Sequence, residues 1–217
     1  MVDKQVLAVE QELASRFESL GFNCEFGFVQ TRCGWQQGGL LRWAVAMPGP
    51  LLKNLRNGFD GIYEWDSLVV RNPKMVTDTA SGLGFHTGMH SKDGAFVHGE
   101  EERRRIHEEE RAKFLFLRDR LLEQLAEGHR MFVYKYNPGV EPEIVQKIAR
   151  TIGRAGPGRF LYVQAAERPE QVGTVTHEGG NLYLGYVEKL WWRDPEPANV
   201  DYAGWRKLMQ ATERFLP

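Results

Sequence analysis

The run of strand, helix and strand between residues 131 and 165 constrains the fold more than any other part of this sequence. Residues 131–136 and 160–165 are two short, mainly apolar and aromatic segments, as expected of buried strands. Residues 141–154 between them predict a helix, with Pro142 at its start and Gly156-Pro157-Gly158 after its end. Two strands joined by such a helix pair in parallel. The sequence therefore predicts an α/β fold with a βαβ unit in its second half.

Weaker periodic patterns place further elements around this unit. Helices are predicted at residues 4–16, 50–58, 100–127 and 202–215, and strands at 63–70, 75–77, 84–86, 172–176 and 181–187. Residues 40–46 are apolar and fit either a short strand or the start of a helix. No linker or repeat divides the chain. We therefore expect a single α/β domain over residues 1–217 with a mixed sheet; an α+β arrangement fits the same pattern.

Charge and hydropathy argue against several classes of partner. The chain has 28 basic and 29 acidic residues, a net charge of −1, so no overall positive field favours nucleic acid or an anionic membrane. No apolar run reaches the ~18 residues of a membrane span, and the N-terminus lacks the apolar stretch of a signal peptide. Two cysteines are too few for a disulfide framework. We expect a cytoplasmic, reduced protein without a nucleic-acid partner or a membrane span.

The sequence also lacks the common cofactor motifs. There is no G-x-x-x-x-G-K-[ST], no G-x-G-x-x-G after a strand and no G-x-S-x-G, so we expect no cofactor. His86, His90 and His98 are close in sequence, but they lack the Glu of HExxH, and a metal site is the weaker interpretation. Trp191, Trp192 and Trp205 fit either a stacking platform for sugars or bases, or packing in the core.

Cys24 is the residue with the clearest chemical potential. A turn at Leu20-Gly21 precedes it, and a helix is predicted to begin near Cys24 and to end before Gly34. Unpaired backbone N–H groups and the positive end of the helix dipole favour the thiolate there, which lowers the pKa of a cysteine from ~8.5. The same N–H groups could bind an oxyanion. Cys24 is therefore a candidate nucleophile; the alternative is an inert thiol in the core.

A thiol nucleophile needs a base within hydrogen-bond reach. Among the six histidines, His107 and His129 lie on the long helix at 100–127 or just after it, where we expect them to be solvated. His86 ends a predicted strand after an apolar approach, so a rigid element can orient it. His86 is therefore the candidate base, and a structural histidine bonded to the backbone is the alternative.

The residues around Cys24 carry a resemblance to a known family. The sequence resembles a bacterial family described as papain-like cysteine peptidases, over about its first hundred residues. The matching positions are Ser19-Leu20-Gly21-Phe22-Asn23-Cys24, Gln30, Arg32, Leu41-Arg42-Trp43, Asp78, Leu83-Gly84 and Phe85-His86. Arg42 stands where that family often has Asp. The resemblance implies a papain-like fold around the helix that bears Cys24, with Cys24 and His86 as the catalytic pair.

The resemblance also implies two supporting roles. Papain-like enzymes take an Asn or Asp that follows the His to orient it, and Asp93 is the acid soon after His86; Asp78, at the family's acidic position, is held in reserve. These enzymes place a Gln before the Cys to bind the oxyanion, but this chain has Glu18 and Ser19 there, so Asn23 or backbone N–H groups would take that role.

Two functions fit these patterns. The first is a thiol-dependent hydrolase or acyl transferase that acts on a small-molecule, peptide or glycan substrate. The second is a non-catalytic binding module; a link to bacterial surface polysaccharide is implied only by the resemblance.

Overall fold

The computed structural model describes residues 4–191 and 196–216, and these form an α/β fold. The helices are α1 (Lys4–Ser15), α2 (Glu25–Arg32), α3 (Pro48–Asn57), α4 (Glu100–Glu127), α5 (Pro142–Ala155) and α6 (Tyr202–Thr212). The strands are β1 (Phe17–Ser19), β2 (Leu68–Asn72), β3 (Met75–Asp78), β4 (Leu83–His86), β5 (Ser91–Lys92), β6 (Ala95–Phe96), β7 (Met131–Lys135), β8 (Arg159–Ala165), β9 (Val175–His177) and β10 (Leu182–Val187).

The main sheet is mixed and has the strand order β1-β7-β8-β10-β9. Strands β1, β7, β8 and β10 run parallel, and β9 pairs antiparallel with β10. The predicted βαβ unit is confirmed, because β7 and β8 are parallel neighbours joined through α5. The carboxyl ends of parallel strands therefore share one edge of the sheet, and open α/β sheets bind their ligands at that edge.

Helices cover both faces of this sheet because its central strands are apolar on both sides. Phe132 and Tyr134 of β7 point into one core with α3, α4 and α5, whereas Met131 and Val133 point into another with α1, α2 and α6. Alternate residues of a strand face opposite sides, so a strand buried on both faces must be apolar throughout. This explains why the segment shows a continuous apolar run rather than an alternating one.

A second, smaller sheet lies beside the first. Strands β2, β3 and β4 form an antiparallel sheet, and β5 and β6 form a two-stranded hairpin. An isolated bridge between Val45 and Gly84 connects the smaller sheet to the loop that precedes α3. His86 is the last residue of β4, so this sheet determines where its imidazole lies.

Several sequence predictions need correction. Residues 40–46 form neither a strand nor a helix, apart from the single bridge at Val45. Strand β2 begins at Leu68 rather than at residue 63, because a 3₁₀ turn occupies residues 65–67. Strand β1 is absent from the predictions. His107 is buried rather than solvated, since its ring stacks on Tyr63 and its Nε2 lies 2.9 Å from the Tyr63 carbonyl oxygen.

Among the described residues, no helix combines the length and the apolar character needed to cross a bilayer.

Candidate active site

Cys24 stands where β1 passes through a tight turn into α2. It occupies the N-cap position of α2, as predicted, and its carbonyl oxygen accepts the first helical hydrogen bond from Phe28 N at 3.0 Å. Gly21 and Phe22 in the turn have φ values of +88° and +83°. A Cβ on Gly21 would lie only 3.0 Å from the Ala46 Cβ. Both the positive φ and the lack of room for a side chain therefore favour glycine at this position. The turn presents Cys24 at the carboxyl edge of the parallel strands.

The structure brings Cys24 and His86 together. Cys24 Sγ lies 3.6 Å from His86 Nε2, although 62 residues separate them in the chain. Cys24 is partly buried and His86 is exposed. The distance is within hydrogen-bonding range for sulfur, so the imidazole is positioned to exchange a proton with the thiol.

Asn23 serves the local structure on both sides of its amide. Its Oδ1 accepts a hydrogen bond from Glu25 N at 3.1 Å, and its Nδ2 donates to the Trp191 carbonyl oxygen at 2.9 Å. The N–H of Glu25 is therefore occupied, which leaves other first-turn N–H groups of α2 as the backbone donors for an oxyanion. Asn23 links the start of α2 to the segment after β10.

The two acids proposed to orient His86 lie elsewhere. Asp93 and Gly94 form the two-residue turn of the β5–β6 hairpin, with φ values of +52° and +81°, and Asp93 is exposed. In the described part of the chain, no hydrogen bond or ion pair joins Asp93 to His86. Asp78 is fully buried, and its oxygens accept hydrogen bonds from Tyr63 N, Ala80 N, Ser81 N and Ser81 Oγ. Asp78 therefore stabilises a turn.

A buried polar network lies behind Cys24, and no pattern in the sequence predicts it. Glu25 and Lys135 form an ion pair with side-chain exposures of 1% and 2%. The Glu25 carboxylate also accepts hydrogen bonds from Trp205 Nε1 at 2.9 Å and Trp191 N at 2.8 Å, while Lys135 Nζ donates to the Trp191 carbonyl oxygen at 3.0 Å. Burial lowers the pKa of Lys135, and Glu25 opposes that shift. The network fixes the first turn of α2 to the end of β7.

Of the three tryptophans singled out in the sequence, Trp191 and Trp205 contact this network. Trp205 is fully buried and packs 4.9 Å from the Phe26 ring, so it belongs to the core rather than to a stacking platform. Trp192 lies outside the described residues.

Arg42 and Gln30 hold α2 in place. Arg42 Nη2 donates to the Gly27 carbonyl oxygen at 3.1 Å and to Thr31 Oγ1 at 2.8 Å, and Gln30 Nε2 donates to the Phe17 carbonyl oxygen at 3.0 Å. Both side chains are buried. Arg42 thus fastens the loop after α2 to the helix, which is a structural role at the position where the resembling family often has Asp.

Glu110 of α4 fixes the chain immediately after His86, and it too was missed from the sequence. Its carboxylate accepts hydrogen bonds from Tyr63 Oη at 2.6 Å, Thr87 Oγ1 at 2.8 Å and Gly88 N at 2.7 Å. Burial and the nearby Glu110 carboxylate raise the pKa of Tyr63, so its phenol remains a donor. The charged first half of α4 therefore includes a residue that holds the β4 end in position.

Replacing Glu110 by Ala should lower the His86-dependent reactivity of Cys24 by about 10- to 100-fold, because a shift of the β4 end by even ~1 Å misaligns the imidazole. The measurement is the pH–rate profile of Cys24 alkylation, with circular dichroism to verify the fold. Glu109→Ala is the matched control, since Glu109 is exposed and pairs with Arg105 one helical turn away. Equal profiles for the two variants would limit Glu110 to a purely structural role.

A cavity of about 950 Å³ opens beside the pair. It is lined by Phe22, Asn23, Cys24, Phe28, Trp43, Val45, Met47, Arg71, Asn72, Pro73, Lys74, Met75 and His86. This volume lies in the range of pockets that enclose small ligands or part of a larger one. The cavity gives an acyl group room to reach the sulfur.

The remaining candidates are placed apart from this chemistry. Cys33 is buried at the C-terminal end of α2, and burial raises the pKa of its thiol to about 11. The His90 and His98 rings lie 6.0 Å apart, and no three His, Cys, Asp or Glu side chains of residues 4–191 and 196–216 cluster as metal ligands would.

Compared with family models, with curated proteins and with solved structures, the chain gives no match in any of the three. The function must therefore be argued from the geometry of the site.

Proposed function

We propose that this protein is a thiol-dependent hydrolase or acyl transferase with chemistry of the cysteine-peptidase type, in which Cys24 is the nucleophile and His86 the base. The observation that carries the proposal is the 3.6 Å separation of Cys24 Sγ and His86 Nε2. Three further features support it: the N-terminal position of Cys24 on α2, the exposure of His86, and the cavity that both residues line. A thiol that only packs in the core requires neither a neighbouring imidazole nor an open cavity.

The reaction has two half-steps that share one base. His86 Nε2 takes the proton of Cys24, and the sulfur attacks the acyl carbon of the substrate while first-turn N–H groups of α2 bind the oxyanion. The bond from the acyl carbon to the leaving group breaks, and the imidazolium returns the proton to that group. His86 then deprotonates water or another acceptor, whose attack releases the acyl group and restores the thiol.

Alkylation of the two cysteines tests the proposal within one molecule. We expect iodoacetamide at pH 7 to modify Cys24 and to spare Cys33, because the buried Cys33 thiol has a pKa of about 11. The alkylation rate at Cys24 should reach half its maximum at a pH below ~8.5, which is the pKa of an ordinary cysteine. Peptide mapping by mass spectrometry across pH 5–10 measures both sites. In the His86→Gln variant, the Cys24 profile should move to higher pH.

A Cys24 that titrates as an ordinary or inaccessible thiol would contradict the proposal. That result would instead favour the non-catalytic binding module, which keeps the cavity and has no need of a thiolate. Cys33 provides the internal reference for an unreactive thiol in the same fold.

A further inference from the structure

The described residues that line the cavity beside Cys24 include positively charged side chains but no negatively charged ones. Arg71 and Lys74 line it, whereas none of the described residues that line it is Asp or Glu. Both side chains are exposed, and neither forms an ion pair or a side-chain hydrogen bond with a described residue. Lys135, by contrast, is paired with Glu25 inside the fold. Two unneutralised cations in a cleft attract an anionic ligand.

The small sheet places the Arg71 side chain over Gly84 of β4, the strand that ends at His86. A methyl group placed on Gly84 would lie 3.4 Å from Arg71 Cδ and 3.2 Å from Val45 Cβ, so the Arg71 side chain crosses the sheet above this glycine. Gly84 and His86 belong to the same face of β4, since they are two residues apart, roughly 7 Å along the strand. The guanidinium is therefore within reach of a substrate that is attacked at Cys24.

Lys74 belongs to a turn that is fixed relative to His86. The turn is closed by a hydrogen bond from Lys74 N to Asn72 Oδ1 at 3.0 Å. Its backbone is bound to the chain after β4, because Thr87 N donates to the Lys74 carbonyl oxygen at 3.0 Å. The position of the Lys74 backbone therefore follows that of the β4 end.

Much of the remaining lining of the cavity is apolar. Phe28 and Trp43 form an edge-to-face pair with ring centroids 5.3 Å apart. The Trp43 ring lies against Gly27 of α2, where a Cβ would come within 2.7 Å of it. Met47 and Met75 also line the cavity. An apolar or aromatic portion of a ligand can be desolvated here next to the sulfur.

We infer that the site selects acyl substrates in which an apolar segment carries an anionic group, a carboxylate or a phosphate. The anionic group binds Arg71 and Lys74, the apolar segment packs against Phe28 and Trp43, and the acyl carbon lies at Cys24. This inference rests on the proposed function, and it narrows the substrate to one chemical class.

Two ester probes of the same backbone test the selectivity. We would compare the rate of Cys24 acylation by the 4-nitrophenyl ester of adipic acid, which keeps a free carboxylate, with that by its neutral methyl ester. We expect the anionic probe to react about 5- to 20-fold faster, and this preference to shrink in ~1 M salt. In the Arg71→Gln/Lys74→Gln variant, the two rates should become equal.

The matched control removes the same charge elsewhere. Arg150 and Lys113 are exposed on α5 and α4 and do not line the cavity, so the Arg150→Gln/Lys113→Gln variant should keep the preference. Equal rates for the two probes on the unaltered protein would overturn the inference while leaving the proposed function intact. A preference that persists without Arg71 and Lys74 would overturn it as well.

A binding measurement separates the two claims if no probe acylates Cys24. Phenylacetate, phenyl phosphate and neutral phenylacetamide would be titrated into the Cys24→Ala variant and followed by tryptophan fluorescence. Tighter binding of either anion than of the amide, lost in the Arg71→Gln/Lys74→Gln background, supports the anion site even when the acyl chemistry fails. Comparison of the two anions assigns the preference to carboxylate or to phosphate, and equal binding of all three compounds refutes the inference.

Discussion

Replacing Cys24 by Ala should abolish covalent labelling of this protein by activated esters and thioesters. In the proposed mechanism the acyl group bonds to the Cys24 sulfur, and the other thiol, Cys33, is buried in the core. Intact-mass spectrometry after incubation with a 4-nitrophenyl ester measures the effect directly: one added acyl group on the unaltered protein and none on the variant.

Two further variants are needed for comparison with this result. Cys33→Ala should label as the unaltered protein does, which excludes a general effect of removing a thiol. His86→Ala should label about 10²- to 10⁴-fold more slowly at neutral pH, because the sulfur loses its proton acceptor. Undiminished acylation of the Cys24→Ala protein would place the reactive group elsewhere and would refute the assignment of the nucleophile.

Replacing Lys135 by Met should lower the free energy of unfolding by about 3–5 kcal/mol. The change leaves the Glu25 carboxylate buried without its cation, and breaking a buried pair on one side is costly. Urea denaturation, followed by tryptophan fluorescence, measures the loss as a lower midpoint at constant slope. Because Glu25 is next to Cys24 and also binds the backbone of Trp191, we expect Cys24 acylation to fall in the same variant.

An exposed pair and a double variant serve as controls. Lys147 and Glu143 are paired one helical turn apart on α5, and Lys147→Met should change the unfolding free energy by less than ~0.5 kcal/mol. Glu25→Gln/Lys135→Met should be more stable than Lys135→Met alone, because the amide is neutral and can still accept from Trp205. If Lys135→Met and Lys147→Met destabilise the protein equally, the buried ion pair contributes no more to the free energy of unfolding than the exposed pair does.

The elements around the central sheet were largely predictable from residue pattern alone. The apolar runs of β7 and β8 and the helix between them specify parallel pairing by themselves, since a helical crossover leaves few other topologies. Strand β1 was missed because it has three residues, one of them the charged Glu18. It is a strand only because residues 131–133, at the start of β7, pair with it, which is information that no local window contains.

The candidate site, too, was predictable only where its signals are local in the sequence. The glycine-bearing turn and the helix start predicted a thiol at the N-terminus of α2, because both signals lie within ten residues of Cys24. The position of Asp93 soon after His86 predicts a partner for the imidazole, but Asp93-Gly94 is also a typical hairpin turn, and that local preference determines where Asp93 lies. Glu110 is one of many charged residues in the first half of α4, and only the tertiary structure brings Tyr63, Thr87 and Gly88 around it.

The sequence by itself determined the α/β class, the parallel core and the position of Cys24 at the start of a helix, because these depend on short-range patterns of hydropathy and turn formation. Only the tertiary structure decided that His86 faces Cys24, that Glu25 meets Lys135, and that Arg71 and Lys74 share a cavity with both catalytic candidates. Those contacts join residues far apart in the chain, and they form only when the packing of whole strands and helices brings the residues together.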